Sequence, residues 1–125
     1  MVMKFTNNAS STLASGITNV ATSLTVATGQ GALFPTLGAG DYFYCTLANA
    51  VGTIEIVKVT ARSSDTFTIV RAQGGSTARA YTAGDKVELR LISSALENFV
   101  QLDGAQTISG AKTFSGATAI SGGGS

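Results

Sequence analysis

Apolar and polar positions alternate in short bursts through the middle of the chain. Leu24 and Val26 alternate with Ser23 and Thr25, the period of two expected of a strand with one buried face. DYFYCTL (41–47) is aromatic and β-favouring throughout. In IEIVKVTA (54–61) the polar residues Glu55 and Lys58 fall on opposite faces. Either the strand bulges near Val57 or both faces are covered. In TFTIVRA (66–72) Phe67 and Ile69 alternate with Thr66 and Thr68, and KVELRL (86–91) sets Val87, Leu89 and Leu91 against Lys86, Glu88 and Arg90. Glycine-rich or polar text separates these runs at 29–31, 34–41, 63–65 and 73–85. Short strands joined by such turns, with no helix between them, predict a small antiparallel β-sandwich or barrel over residues 23–92.

Both flanks read differently. Residues 1–22 are rich in Ser, Thr, Asn and small apolar residues with weak periodicity, which suits an extended N-terminal arm or a short edge strand. At Ile92 the period changes to three and four. Ile92, Ala95, Leu96, Phe99 and Leu102 form one apolar stripe, and Ser94 and Glu97 have capping-box spacing. These predict a helical neck over 93–102. A helix that short must pack on something, either its own barrel or a seam between copies of the chain.

The chain then repeats a six-residue phrase, TISGAK, TFSGAT and AISGGG. An even period keeps Ile108, Phe114 and Ile120 on one face of an extended chain. A flexible linker has no reason to place a large apolar residue at every sixth position. A single-chain β-helix needs more coils than three to bury a core. Chains wound side by side need fewer, because each supplies one wall, so residues 103–125 read as the start of a multi-chain β fibre shaft.

The stretches TSLTVATGQGALFPTLGAGDYFYCTL (22–47) and IEIVKVTARSSDTFTIVRAQGGSTARAYTAGDKVELRL (54–91) resemble the N-terminal region of bacteriophage tail-fibre and related virion-fibre proteins. LDGAQTISGAKTFSG (102–116) is similar to the repeat that opens the shafts of such fibres. The resemblance implies that residues 1–92 dock on the virion, that 93–102 form a trimerising neck and that 103–125 begin the shaft. It implies a homotrimer attached to other virion structural proteins, of tail or head, and assembled in the host cytoplasm. Recognition of the host would belong to a part beyond the shaft, which this sequence does not carry.

Composition fits a covered surface. Only 12% of the 125 residues are charged while 44% are hydrophobic, against about 25% charged in a typical soluble domain. A net charge of +1 gives no field for gathering nucleic acid or an anionic membrane. No run approaches the roughly 20 apolar residues of a membrane helix. Cys45 is the only cysteine and lies in an apolar strand, where a thiol is ordinarily inert core.

Catalytic chemistry is hard to assemble from this set. The chain has no histidine, which removes the commonest general base and most zinc sites. The closest carboxylates, Asp85 and Glu88, point to opposite faces of a strand, poor geometry for paired acid–base work. GQG at 29–31 and QGGS at 73–76 lack the Lys-Ser/Thr of a phosphate loop. We therefore expect a non-enzymatic protein with no cofactor and no metal. The alternatives are a capsid-decorating cement protein or a carbohydrate-binding β-sandwich. Docking candidates come from residues left over from the core. The arm's Val2, Phe5, Leu13 and Ile17 are too apolar to leave in water, and Arg79 and Tyr81 in the 73–85 loop are of types enriched where proteins meet proteins. Their expected partner is another virion protein or a neighbouring copy.

Overall fold

The computed structural model describes residues 2–93 and Gly110. The helical neck and the shaft, with Ala95, Leu96, Phe99, Leu102, Ile108, Phe114 and Ile120, lie outside the described residues. Six strands form one antiparallel sheet: β1 (Ser10–Thr12), β2 (Ser23–Thr25), β3 (Phe43–Ala48), β4 (Ile54–Ser63), β5 (Thr66–Gln73) and β6 (Lys86–Glu88), in the order β1-β6-β3-β4-β5-β2. The sheet is a half-barrel. A Leu13–Val26 bridge just beyond β1 and β2 ties its two edges together, with Ala14 N–H donating to Thr25 O at 2.9 Å.

Alternation decides which side chains fill the concave face. Phe43, Cys45 and Leu47 point inward from β3, Val57 and Val59 from β4, Phe67 and Ile69 from β5, and Leu24 and Val87 from β2 and β6. Phe34 enters from the loop after a 3₁₀ turn (Gln30–Leu33) and closes an aromatic cluster with Phe43 and Phe67, at centroid distances of 5.0 Å to Phe67 and 6.0 Å to Phe43. Burial pushes the Cys45 thiol well above the usual range, so this cysteine is held as an unreactive apolar side chain.

The N-terminal segment is not a free arm. β1 pairs antiparallel with β6, Ser10 opposite Glu88 and Thr12 opposite Lys86. Met3 bridges Tyr42 in parallel and Ile17 bridges Tyr81 antiparallel. The edge-strand reading holds, because this pairing satisfies the outer backbone groups of β6, which water would otherwise have to serve. The last strand is also shorter than its pattern. β6 stops at Glu88, Leu89 is only partly buried, and Leu91, expected inward, is exposed. Leu89 N–H still reaches Ala9 O at 3.0 Å; past that point no ladder bond among the described residues holds the chain to the sheet.

Strand directions give the barrel two distinct ends. β3 runs from Phe43 to Ala48, and Ala48 pairs with Lys86 while Thr46 pairs with Glu88, so β6 runs back toward Phe43. The chain therefore leaves at the Phe43 end, where Met3 lies beside Tyr42 and Thr6 bonds Leu33 O at 2.7 Å. The opposite end is made of residues 14–22, the 49–53 hairpin turn and the 74–85 loop.

Candidate docking surface

Polar order at the loop end comes from two charges in the inward register of neighbouring strands. Glu55 shares its face of β4 with Val57 and Val59 and is fully buried. Arg71 follows Phe67 and Ile69 on the inward phase of β5. Its Nε donates to Glu55 Oε2 at 2.9 Å and its Nη2 to Oε1 at 2.8 Å. Both charges are fully engaged beyond the pair. The carboxylate also accepts from the Ala72 and Arg79 N–H groups, each at 3.0 Å. The guanidinium also donates to the carbonyls of Thr18 (2.6 Å), Ala21 (3.2 Å) and Arg79 (2.5 Å).

Burial pushes the Glu55 carboxyl up, but Arg71 and the two backbone donors outweigh it and hold it below the usual range. The register explains how the pair forms. Between the Ile56–Gln73 and Lys58–Val70 pairs β4 advances two residues and β5 three, so the extra residue lies in β5, at a bulge where Ala72 has φ 54°. The irregularity expected near Val57 is thus real, but it belongs to the partner strand. It turns the Ala72 N–H onto the carboxylate.

Residues proposed for docking are divided by the two ends. Leu13, Ile17, Arg79 and Tyr81 gather at the loop end: Ile17 and Tyr81 exchange both backbone bonds, at 2.9 and 3.0 Å, and Gly84 N–H reaches Leu13 O at 2.8 Å. Val2 and Phe5, both exposed, sit at the exit end. Leu13 and Tyr81 are buried in the chain's own core and Ile17 is half-buried against it, so their side chains are largely taken up within the chain. Apolarity marked them, and the core used it. Ile92, assigned to a seam between copies, is likewise buried within its own chain. Arg79 is exposed as expected.

Beside Arg79 in the chain lies an open cleft of about 280 Å³, walled by Asn49, Ala50 and Val51 of the β3–β4 turn and by Ala80, Tyr81, Thr82 and Asp85. Val51 and Val20, 85% and 76% exposed, stand out from this end more than any other large apolar residue described. The tyrosine hydroxyl of Tyr81 is buried with no hydrogen-bond partner among the described residues. Burial, with the Glu55 charge second, raises its pKa. Among the described residues, no group of His, Cys, Asp and Glu side chains could hold a metal ion. Sequence reading missed the Glu55–Arg71 pair, although its signal was available: a carboxylate and a guanidinium, each in the phase of its strand's buried residues. Compared with protein-family models and with curated proteins, the chain matches none.

Proposed function

We propose that the chain is a non-enzymatic structural component of a bacteriophage virion, a fibre protein whose barrel docks on the particle and whose C-terminal repeat begins a shaft shared by three copies. One observation carries the reading: the polarity of the barrel. β6 runs toward the exit end, where Val2, Leu33 and Leu91 leave apolar surface in water. The loop end, facing the other way, is left for the particle. Exposed apolar residues at the end toward which the chain continues are what assembly around a common axis would cover. The site of action is then the assembled virion.

Light scattering of the intact chain tests this. The expected species is a trimer, and Leu96→Asp with Phe99→Asp should reduce it to monomers, because each buried unpaired charge costs several kcal/mol, while the β signature persists. A monodisperse monomer for the unaltered chain overturns the fibre reading and favours a single-copy binding module.

A further inference from the structure

We infer that the N-terminal residues Val2, Met3 and Lys4 form a displaceable strap. They occupy the edge of β3 along which β6 would otherwise run on, and their release lets residues 89–92 join the sheet. The inference goes beyond the fibre reading and does not depend on it.

One edge has two claimants. Leu89 N–H points to Ala9 O on the β1 side, so Lys86 and Glu88 turn their backbone groups toward β3, where they face Ala48 and Thr46. Peptide groups alternate along a strand, so those of Tyr44 and Tyr42 point to the same edge. Continuing the register sets Arg90 opposite Tyr44 and Ile92 opposite Tyr42. The place opposite Tyr42 is taken. Lys4 N–H donates to Tyr42 O at 2.8 Å, Tyr42 N–H donates to Val2 O at 3.1 Å, and Met3 forms the parallel bridge between them. Among the described residues no backbone hydrogen bond joins residues 90–92 to β3.

The exit segment is patterned for the edge it lacks. Val87, Leu89 and Leu91 alternate with Lys86, Glu88 and Arg90. Val87 is buried and Leu89 packs against the core, yet Leu91 is exposed. On a continued β6, Leu91 would stand opposite the fully buried Phe43, and the alternation would be used to its end. Ile92 opposes this. It is buried now, and the extended register would turn it to the outer face beside Tyr42. Burying one aliphatic side chain and exposing another nearly cancel, so the strap's own ties decide between the two arrangements.

Those ties are light. Beside the two ladder bonds stands the Lys4–Asp41 ion pair at 3.9 Å, partly exposed and therefore weak and screened by salt. Val2 is exposed and Met3 half-buried, so release uncovers little apolar surface. The residues that follow have anchors of their own: Thr6 Oγ1 donates to Leu33 O at 2.7 Å, and Ala9 is buried. The strap can thus leave while β1 stays paired. A partner that binds residues 2–4 only when they are free shifts the balance by that difference in affinity. The point where the chain parts from the sheet then moves by three residues, about 10 Å along β3.

Amide exchange followed by NMR on the intact chain tests the inference. Lys4→Pro removes the donor to Tyr42 O together with the ion pair, whereas Lys4→Ala keeps the donor. In Lys4→Pro the Arg90 and Ile92 N–H groups should exchange about tenfold or more slowly than in the wild type. An Hα–Hα cross-peak should appear between Phe43 and Leu91, which become a close pair without mutual hydrogen bonds. Lys4→Ala should move these signals far less, and adding Leu91→Asp to Lys4→Pro should abolish them. Deleting residues 2–4 should reproduce the Lys4→Pro result and covers the case in which proline disturbs the barrel, whose integrity the Val57 and Ile69 amides report. Wild-type exchange at Arg90 and Ile92 in an intact deletion variant would overturn the inference. So would protection that grows with protein concentration, since a second copy would then hold the edge. A monomeric or trimeric mass leaves these signals unchanged, so failure here is distinct from failure of the fibre reading.

Discussion

Glu55 and Arg71 meet across the β4–β5 pair as a bidentate ion pair, and through it one carboxylate and one guanidinium join three separate parts of the chain. Residues 18–21 reach it through the Thr18 and Ala21 carbonyls, the 74–85 loop through both backbone groups of Arg79, and the bulge through Ala72 N–H. An isolated buried pair is weak evidence of stability, because desolvation opposes the attraction. Here the remaining lone pairs and protons are satisfied by backbone groups of these segments.

Removal of either partner should therefore be severe. Glu55→Ala leaves the Arg71 guanidinium buried without its counter-charge, and we expect a loss of about 3–5 kcal/mol in urea unfolding. Glu55→Met with Arg71→Met should not recover the wild-type value, as a simple buried pair often does, because two N–H groups and three carbonyls lose their partners. A double variant as stable as the wild type would show that these backbone groups find other partners at no cost.

Acid should act through the same carboxylate. The folded-state pKa of Glu55 is depressed, so its contribution is complete above the unfolded glutamate pKa of about 4.3 and is lost as pH falls through the lower folded value. Glu88, held down by Arg90, and Asp65, held down by the Gly29 and Gly31 N–H groups, have the same sign at more exposed positions. Urea midpoints measured from pH 7 down to pH 2 should fall in the wild type and fall less steeply in Glu55→Gln. Parallel curves would place the acid sensitivity elsewhere.

Much of this fold could be read from the chain and some could not, for physical reasons. The inward phases of β2 and β5 were legible because Leu24, Phe67 and Ile69 alternate with serine and threonine; those of β3 and β4 were not, because Phe43, Tyr44 and Cys45 are apolar on both faces and Glu55 takes an inward place. β1 was not, because Ser10–Thr12 carries no alternation; its place is set by hydrogen bonds to β6 that composition does not encode. Leu91 was misplaced because a pattern shows a strand's phase but not where its partner runs out. At the loop end the Arg79 side chain was legible as exposed. Leu13 and Tyr81 were not legible as core, since partner surfaces and cores draw on the same residue types.

Packing around the 3₁₀ turn is tight at one atom. A Cβ added to Gly31 would stand 2.0 Å from Ser64 O and 2.8 Å from Asp65 Cα, both backbone. Asp65 holds the turn there, its Oδ1 accepting from Gly31 N at 2.9 Å and its Oδ2 from Gly29 N at 3.0 Å. Gly31→Ala must push the turn off the β4–β5 hairpin, and thermal unfolding should register about 1–3 kcal/mol or more. At Gly29, with φ 80° and open space around it, Ala should cost only the left-handed strain of about 1–2 kcal/mol. A milder effect at Gly31 than at Gly29 would mean that the hairpin yields easily.

Tyr81 gives the sharpest test of the loop end, because its hydroxyl and its ring have opposite expectations. The ring is packed in the core beside the Ile17 bridge, and the hydroxyl is buried without a hydrogen-bond partner among the described residues. A hydroxyl desolvated and unpaired costs about 1–3 kcal/mol. Tyr81→Phe removes that cost and keeps the ring, so it should leave stability unchanged or raise it by up to that amount. Tyr81→Ala removes the ring and should cost about 3–5 kcal/mol. Urea unfolding of the two variants separates the terms. If Tyr81→Phe instead loses more than about 1 kcal/mol, roughly the net worth of one hydrogen bond, the hydroxyl has a partner, and a buried water between it and the Glu55–Arg71 pair becomes the next group to locate.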